Sequence, residues 1–315
     1  MTLTPAQADR AVGALLGSAA GDALGAGYEF GPPLPDDQPV HMAGGGSFGW
    51  EPGEWTDDTS MAVPIAQVLA EGGSLDDETS LDRVVAAWVG WARTAKDVGV
   101  QTRNLLSALP TPTAAAARKS AAAYYAANPR GAGGNGTLMR TGPVALGYLG
   151  DGQEAALVSA ARAVSNLTHA DPDAGDACVL WSTAIRHAVR EGVIDLTAQL
   201  VWLPAERRDR WAALIAEAEA SQPADFDKNG WVVQALQGAW SAIHHGEGLV
   251  DVLERAVRGG RDTDTVAAIA GALAGAAYGA GAVPDAWRRK LHGWPGIDAD
   301  GLADLAVRAV NHRTR

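Results

Sequence analysis

The 315-residue sequence predicts an all-α, single-domain protein, and three observations carry that expectation. Ala, a strong helix former, dominates many windows, while strand-favouring Phe and Tyr number only 3 and 5. Helical periodicity recurs along the chain, and no alternating strand series appears. Two short acidic clusters, Trp55-Thr56-Asp57-Asp58-Thr59 and Arg261-Asp262-Thr263-Asp264-Thr265, lie far apart and each runs into a small-residue helical stretch. If they share one site, everything between them folds as one unit, so one domain is expected over residues 1–315.

The first helix is expected over residues 6–20. Its apolar stretch from Ala11 to Gly21 is bounded by Asp9, Arg10 and Asp22, and no convincing cationic leader precedes it, so it reads as a core helix. A Gly- and Pro-rich connection over residues 31–53 contains Pro32, Pro33, Pro35, Gly44, Gly45 and Gly46. A loop of that length is uncommon unless it is functional or disordered, and it leads straight into the first acidic cluster. A mobile flap over the site is the expectation. Helices follow over residues 60–71, 81–95, 103–109 and 114–127, then 153–165 and 173–191. Three more, over residues 208–220, 230–245 and 249–258, lead to the second acidic cluster and a helix over 265–280. Val266 to Val283 carries no charge, but its Ala and Gly are too weakly hydrophobic to mark a membrane span. Gly271, Gly275 and Gly279 recur every four residues, a spacing that lets another backbone approach closely. A last helix covers residues 301–310.

An apolar fraction of 47% and 11 Trp residues supply the material for a large core. The net charge of −12 argues against nucleic-acid backbones and anionic membranes as partners. An anionic small ligand stays possible wherever metals or backbone amides can hold it. The single Cys178 lies beside Val179, Leu180 and Trp181, which suits a buried small hydrophobe. No disulfide framework exists, as expected of a reducing cytoplasm.

Aspartate and threonine packed this tightly offer the hard oxygen ligands that Mg²⁺ or Mn²⁺ prefers. For a single Asp-Thr pair, capping a helix is the ordinary role. Four aspartates and four threonines in two similar settings ask for more. Carboxylates about 4 Å apart repel by roughly 4 kcal/mol per pair at an effective dielectric near 20, so converging clusters need cations. Few Lys or Arg lie beside them.

Other segments add polar groups. Asp22 interrupts an apolar run and Glu29 follows glycines that permit sharp turns; alone, the first reads as a cap and the second as a solvated loop residue. Gly133-Gly134-Asn135-Gly136 presents bare amides of the kind that cradle phosphate, although Asn-Gly is also an ordinary turn. Arg140 is placed to add charge at a phosphate or to pair with a carboxylate. His169, in Thr168-His169-Ala170-Asp171, matters only if it faces the acidic clusters.

Taken together and in order, Gly21-Asp22-Ala23-Leu24-Gly25 with Glu29, Trp55 to Thr59, Gly134 to Arg140, Thr168-His169 and Asp262 to Ala267 resemble the ADP-ribosylglycohydrolase family, which includes the dinitrogenase-reductase-activating glycohydrolases. The resemblance spans roughly residues 10–280. It implies an orthogonal helical bundle with a cleft holding two divalent cations, Mg²⁺ or Mn²⁺. Carried over by motif, the metal ligands are Thr56, Asp57, Asp58, Asp262, Asp264 and Thr265. Glu29 becomes a ligand or catalytic carboxylate on a mobile loop, and Glu29 and Asp58 are the candidates for proton transfer. Gly133, Gly134, Asn135 and Gly136, with His169, are to hold the diphosphate and nearby ribose. The family's Gly-Gly-Asp-Thr-Asp stands here with Arg261 inserted after Gly260, which puts the loop path in question more than the ligands.

Asp97-Val98-Gly99 with Thr102 resembles an element of those members that remove ADP-ribose from arginine, and a carboxylate there can form a bidentate pair with guanidinium; an Asp97 that caps the next helix is the equal alternative. The activity this implies is hydrolysis at C1 of ADP-ribose, releasing ADP-ribose from a modified target, with protein arginine favoured and an ADP-ribosylated nucleobase still open. The competing functions are a metal-dependent nucleotide phosphohydrolase and a non-catalytic binder of ADP-ribose.

Overall fold

The computed structural model describes residues 3–312. Its architecture is a helical bundle: α1 (Pro5–Gly25), α2 (Asp57–Ala70), α3 (Glu78–Trp91), α4 (Val100–Ser107), α5 (Ala114–Ala127), α6 (Glu154–Ser165), α7 (Pro172–Glu191), α8 (Ala205–Glu219), α9 (Val232–His245), α10 (Leu249–Arg258), α11 (Thr263–Tyr278), α12 (Asp285–Arg288) and α13 (Ala299–His312). Every helix expected from periodicity is present. Short α12, several 3₁₀ turns and a hairpin of β1 (His292–Gly293) and β2 (Ile297–Asp298) were not anticipated. Two-residue strands are too short to show alternation, and a single helical turn is too short to show a period.

The ends of two helices differ in an instructive way. α2 begins at Asp57 and α11 at Thr263, so the acidic clusters form the first helical turns instead of preceding them. Unpaired amides and the positive end of the helix dipole favour carboxylates there.

The seam between α1 and α11 positions the site. The two helices run antiparallel, and their glycines meet pairwise. A Cβ on Gly13 would lie 2.2 Å from the Gly275 carbonyl oxygen, and one on Gly17 would lie 2.4 Å from that of Gly271. On Gly21 it would lie 2.1 Å from the Ala267 oxygen, and on Gly25 2.5 Å from Asp264 Cα. The glycine stripe seen on α11 therefore has its counterpart on α1, and backbones touch where side chains would normally intervene. This zipper ends at Gly25 and Asp264, where Thr263 Oγ1 donates to the Gly25 carbonyl at 2.9 Å. Both stretches that resembled membrane elements are thus core helices, and no helix among the described residues is long and apolar enough to cross a membrane.

Trp residues supply the bulk that Ala and Gly lack. Trp55, Trp88, Trp181 and Trp211 are fully buried. Trp88 Nε1 donates to the Met61 carbonyl at 2.9 Å, tying α3 to α2, and Trp181 Nε1 donates to Ile269 at 2.9 Å, tying α7 to α11. α13 packs on α1 and α2, so the two ends of the chain close on each other. Cys178 is buried and unpaired, as its neighbours suggested.

The connection over residues 31–53 is held at several points. Phe30 N donates to the Arg261 carbonyl at 2.6 Å and Arg261 N donates back to Gly31 at 2.7 Å, while Leu34 N reaches the Arg258 carbonyl and His292 N the Gly53 carbonyl. Arg261 takes a left-handed backbone, φ 65°, to make this bridge, and its side chain turns towards the Ala224 and Gly259 carbonyls. The inserted residue thus fastens the loop that follows Glu29.

Candidate active site

Three helix ends meet at one point: the last turns of α1 and the first turns of α2 and α11. Asp22, in the last turn of α1, is fully buried. Its Oδ1 accepts from Thr56 N at 2.8 Å, and its Oδ2 accepts from Thr59 N at 2.9 Å and Thr59 Oγ1 at 2.6 Å. Asp22 is therefore a cap, but of α2 and not of its own helix. It frees Thr56, the residue before α2, from capping. Thr56 Oγ1 instead donates towards Asp58 Oδ2 at 2.9 Å.

The two distant acidic clusters do converge. One carboxylate oxygen each from Asp22, Asp58 and Asp264 lies within 4.8 Å of the others, and the same holds for Glu29, Asp262 and Asp264. Asp264 belongs to both groups. Asp58 Oδ1 and Glu29 Oε2 are enclosed and have no hydrogen-bond partner. None of these residues, nor Asp57, makes an ion pair with Lys, Arg or His among the described residues.

Burial and mutual repulsion drive the carboxyls towards the neutral form. Burial pushes Asp22 up to about 6 against the pull of its hydrogen bonds from Thr59 and Thr56. Burial, then the nearby Asp262, Asp97 and Asp57 charges, raise Glu29 to about 9. Asp57, Asp58 and Asp264 stand well above the usual carboxylate range, first through burial and then through their acidic neighbours. Such a concentration of buried like charge marks a functional site. Two triads of close oxygens, two orphaned acceptors and no protein counter-ion fit divalent cations with oxygen ligands.

Above the acidic floor lies a cleft of about 420 Å³. Its walls include Glu29, Asp57, Asp97, Thr102, Gly134, Asn135, Gly136, His169, Asp262, Asp264 and Thr265. Most residues expected from sequence thus share one cavity, and three placements refine the expectation. Asp58 is fully enclosed beneath the cleft and does not line it, which suits a ligand better than a proton donor to substrate. Gly133 faces an adjoining cavity of about 410 Å³, because the Val232 amide takes its carbonyl and the chain turns there. Asn135 is committed to structure: its amide donates to the Gly230 carbonyl, and Nδ2 donates to Asn229 O at 2.9 Å and Asp262 Oδ2 at 2.7 Å. With those hydrogens spent, it orients Asp262 and does not bind phosphate through its side-chain amide.

Arg140 is also not where a phosphate contact would need it. It is buried with its guanidinium 4.2 Å over the Trp88 ring, donating to Gly136 O at 2.9 Å and to Thr168 Oγ1 at 2.5 Å. It supports the glycine loop from below. Asp97 does face the cleft, beside Val98 and Gly99, with its carboxyl raised by burial. Asp22 was legible as an aspartate inside an apolar helix, yet its place among the candidate ligands emerges only when α1 meets α2 and α11.

The family model described as ADP-ribosylglycohydrolase matches residues 3–315. The chain belongs to the ADP-ribosylglycohydrolase family. Among relatives of this family, an ADP-ribosylarginine hydrolase of Pseudomonas putida (strain GB-1) is 33% identical over 304 residues, covering 92% of this chain and 76% of that protein. The ADP-ribosyl-[dinitrogen reductase] glycohydrolase of Rhodospirillum rubrum is 30% identical over 293 residues, covering 91% and 92% respectively. A solved structure titled ADP-ribosylglycohydrolase-related protein complex superposes with a TM-score of 0.76 at 31% identity, over 98% of this chain and all of the other. In this family member the all-α fold expected from composition and periodicity stands confirmed.

Proposed function

We propose that this protein is a hydrolase dependent on two divalent cations, Mg²⁺ or Mn²⁺, that cleaves the bond between C1 of ADP-ribose and an arginine side chain of a modified protein. The observation that carries this reading is the meeting of both acidic clusters under a cleft whose wall bears Asp97. Relatives named as ADP-ribosylarginine hydrolases support the arginine linkage.

Asp22, Asp58 and Asp264 on one side, and Glu29, Asp262 and Asp264 on the other, are the residues to hold the cations, with Thr56, Asp57 and Thr265 beside them. Held there, the cations would offset the charge of the cluster and would supply Lewis acidity at the reacting sugar. Asp97 accepts the guanidinium hydrogens and orients the arginine. The C1–N bond breaks towards an oxocarbenium-like state flanked by the carboxylates, the departing guanidine nitrogen gains a proton, and a water oxygen adds to C1 as its proton passes to a carboxylate. Glu29 lines the cleft and is our candidate for this proton transfer. The products are ADP-ribose and unmodified arginine.

The test is hydrolysis of ADP-ribosylated arginine followed by release of ADP-ribose, with Mg²⁺ or Mn²⁺ and with EDTA. Turnover that survives EDTA overturns the metal requirement, and release of inorganic phosphate in place of ADP-ribose overturns the glycosidic reading.

A further inference from the structure

We infer that Thr168 and Arg140 fix the tautomer of His169, so that its Nε2 presents a hydrogen to the cleft. The inference starts from a chain of hydrogen bonds whose directions are set at one end. An arginine can only donate. Arg140 Nη2 lies 2.5 Å from Thr168 Oγ1, so the hydroxyl oxygen is an acceptor there. The same oxygen lies 2.8 Å from His169 Nδ1. The threonine hydroxyl owns one hydrogen, and among the described residues it has no other hydrogen-bond partner. Donating that hydrogen to Nδ1 satisfies both groups; a hydrogen on Nδ1 would leave the hydroxyl hydrogen with nowhere to go in a buried position. Nδ1 is then the acceptor, and the ring hydrogen sits on Nε2.

The rest of the segment holds this geometry rigid. His169 N donates to the Ser165 carbonyl at 3.0 Å, and Gln101 Nε2 donates to the Thr168 carbonyl at 2.8 Å. Arg140 is fixed in turn by the Gly136 carbonyl and the Trp88 ring. Nε2 points at the glycine loop: a Cβ on Gly134 would lie 3.2 Å from it, and a Cβ on Gly136 3.7 Å. Nε2 makes no hydrogen bond to the described residues, and the ring lines the cleft. Burial and the Arg140 charge also hold the imidazole in its neutral form, down to about 3. A neutral donor aimed over two glycines suits an oxygen of a phosphate or a ribose hydroxyl. Thr168 and Arg140 are thus positioning residues for a donor that must not become an acceptor.

The identity of the ligand oxygen rests on the proposed function, whereas the tautomer does not. Long-range ¹H–¹⁵N correlation spectra of the intact protein at neutral pH, with His169 assigned by its absence in His169→Asn, read the tautomer directly. We expect a pyridine-like Nδ1 and a pyrrole-like Nε2. The reverse pattern overturns the inference. Thr168→Val removes the hydroxyl while keeping the shape, and it should give mixed tautomers and weaken ADP-ribose binding about tenfold by calorimetry; Thr168→Ser should restore both. An unchanged spectrum in Thr168→Val also overturns the relay. Should Thr168→Val fail to fold, the wild-type spectrum still decides. Wild-type protein that shows the expected spectrum but does not bind ADP-ribose would count against the proposed function alone.

Discussion

The two ends of the cleft are built on opposite electrostatic terms. At the acidic end, carboxyls from α1, α2 and α11 are packed within 4.8 Å of one another, and Asp58 Oδ1 and Glu29 Oε2 lack any partner. At the donor end, Arg140, Thr168 and His169 form a directed chain, anchored by protein hydrogen bonds on both sides. The difference teaches which half the protein can complete by itself. Backbone carbonyls and a hydroxyl suffice to hold a neutral imidazole, but among the described residues no cationic side chain pairs with the clustered carboxylates. In the proposed function divalent cations complete the acidic end, while glycine contacts bring α1 against α11 and the hydrogen bonds of Asp22 tie α1 to the start of α2.

The most severe way to separate the two ends is to remove the residue common to both carboxylate triads. Asp264→Asn should lower hydrolysis of ADP-ribosylated arginine by at least about a thousandfold, a loss on the scale of removing a principal electrostatic stabiliser. Steady-state assays at saturating Mg²⁺ check this, and wild-type protein in EDTA should fall as far. Wild-type turnover in the variant would remove Asp264 from the metal site.

The same substitution should act in the opposite sense on stability. Glu29, with an ordinary value of 4.5, holds its proton up to about 9 in the fold, and Asp22, with an ordinary value of 3.8, holds its own up to about 6. Between those limits the folded state binds more protons than the unfolded chain, so this cluster's contribution to stability falls as pH rises from about 4 to 9. Metal-free Asp264→Asn should therefore be more stable than metal-free wild type at pH 8, by about 2 kcal/mol, with the gap closing near pH 4. Mg²⁺ should raise the Tm of the wild type and leave that of the variant nearly unchanged. Thermal melts with and without EDTA across this range supply the measurement; a variant less stable than wild type at pH 8 would mean that the cluster is not under electrostatic stress.

How far the site could be read in advance follows the same division. The acidic end was legible because its residues come in runs: Asp57-Asp58 and Asp262-Thr263-Asp264 are conspicuous, and the glycines of α11 announce a close backbone partner. What stayed hidden was the identity of that partner. The spacing of Gly13, Gly17, Gly21 and Gly25 on α1 acquires meaning only against α11, and with it Asp22, legible as a cap, becomes also a member of a carboxylate triad. The donor end was legible as a list of residues but not as a network. Neither the engagement of Asn135 with Asp262 nor the burial of Arg140 over Trp88 has a periodic signature, since both join segments far apart in sequence. Twelve helices were foreseeable because each is long enough to show its period; α12 and the β1–β2 hairpin are not.

Asn135 joins the two ends, which offers a smaller perturbation. Asn135→Ala leaves all carboxylates in place but removes the hydrogen bond to Asp262 Oδ2. Loss of a group that orients a ligand typically weakens metal affinity or activity 10–100-fold. Activation curves against Mg²⁺ should shift to higher concentration by about that factor, with the maximal rate less affected. A drop in rate at every Mg²⁺ concentration, without a shift, would instead mean that Asn135 acts on the substrate.

Asp97 provides the finest distinction, because it faces the cleft without belonging to either carboxylate triad. A role in recognising guanidinium predicts that Asp97→Asn keeps metal activation intact, since Asp22, Glu29, Asp58, Asp262 and Asp264 are untouched. The variant loses one of two equivalent acceptor oxygens and the charge, so kcat/KM for ADP-ribosylated arginine should fall about tenfold or more, on the order of 1.5–3 kcal/mol for a hydrogen bond to a charged group. Binding of free ADP-ribose, which lacks the guanidine, should stay within about twofold of wild type by calorimetry. A parallel loss of ADP-ribose affinity would place the role of Asp97 in the shape of the cleft, which Val98 and Gly99 also line, and not in the choice of arginine.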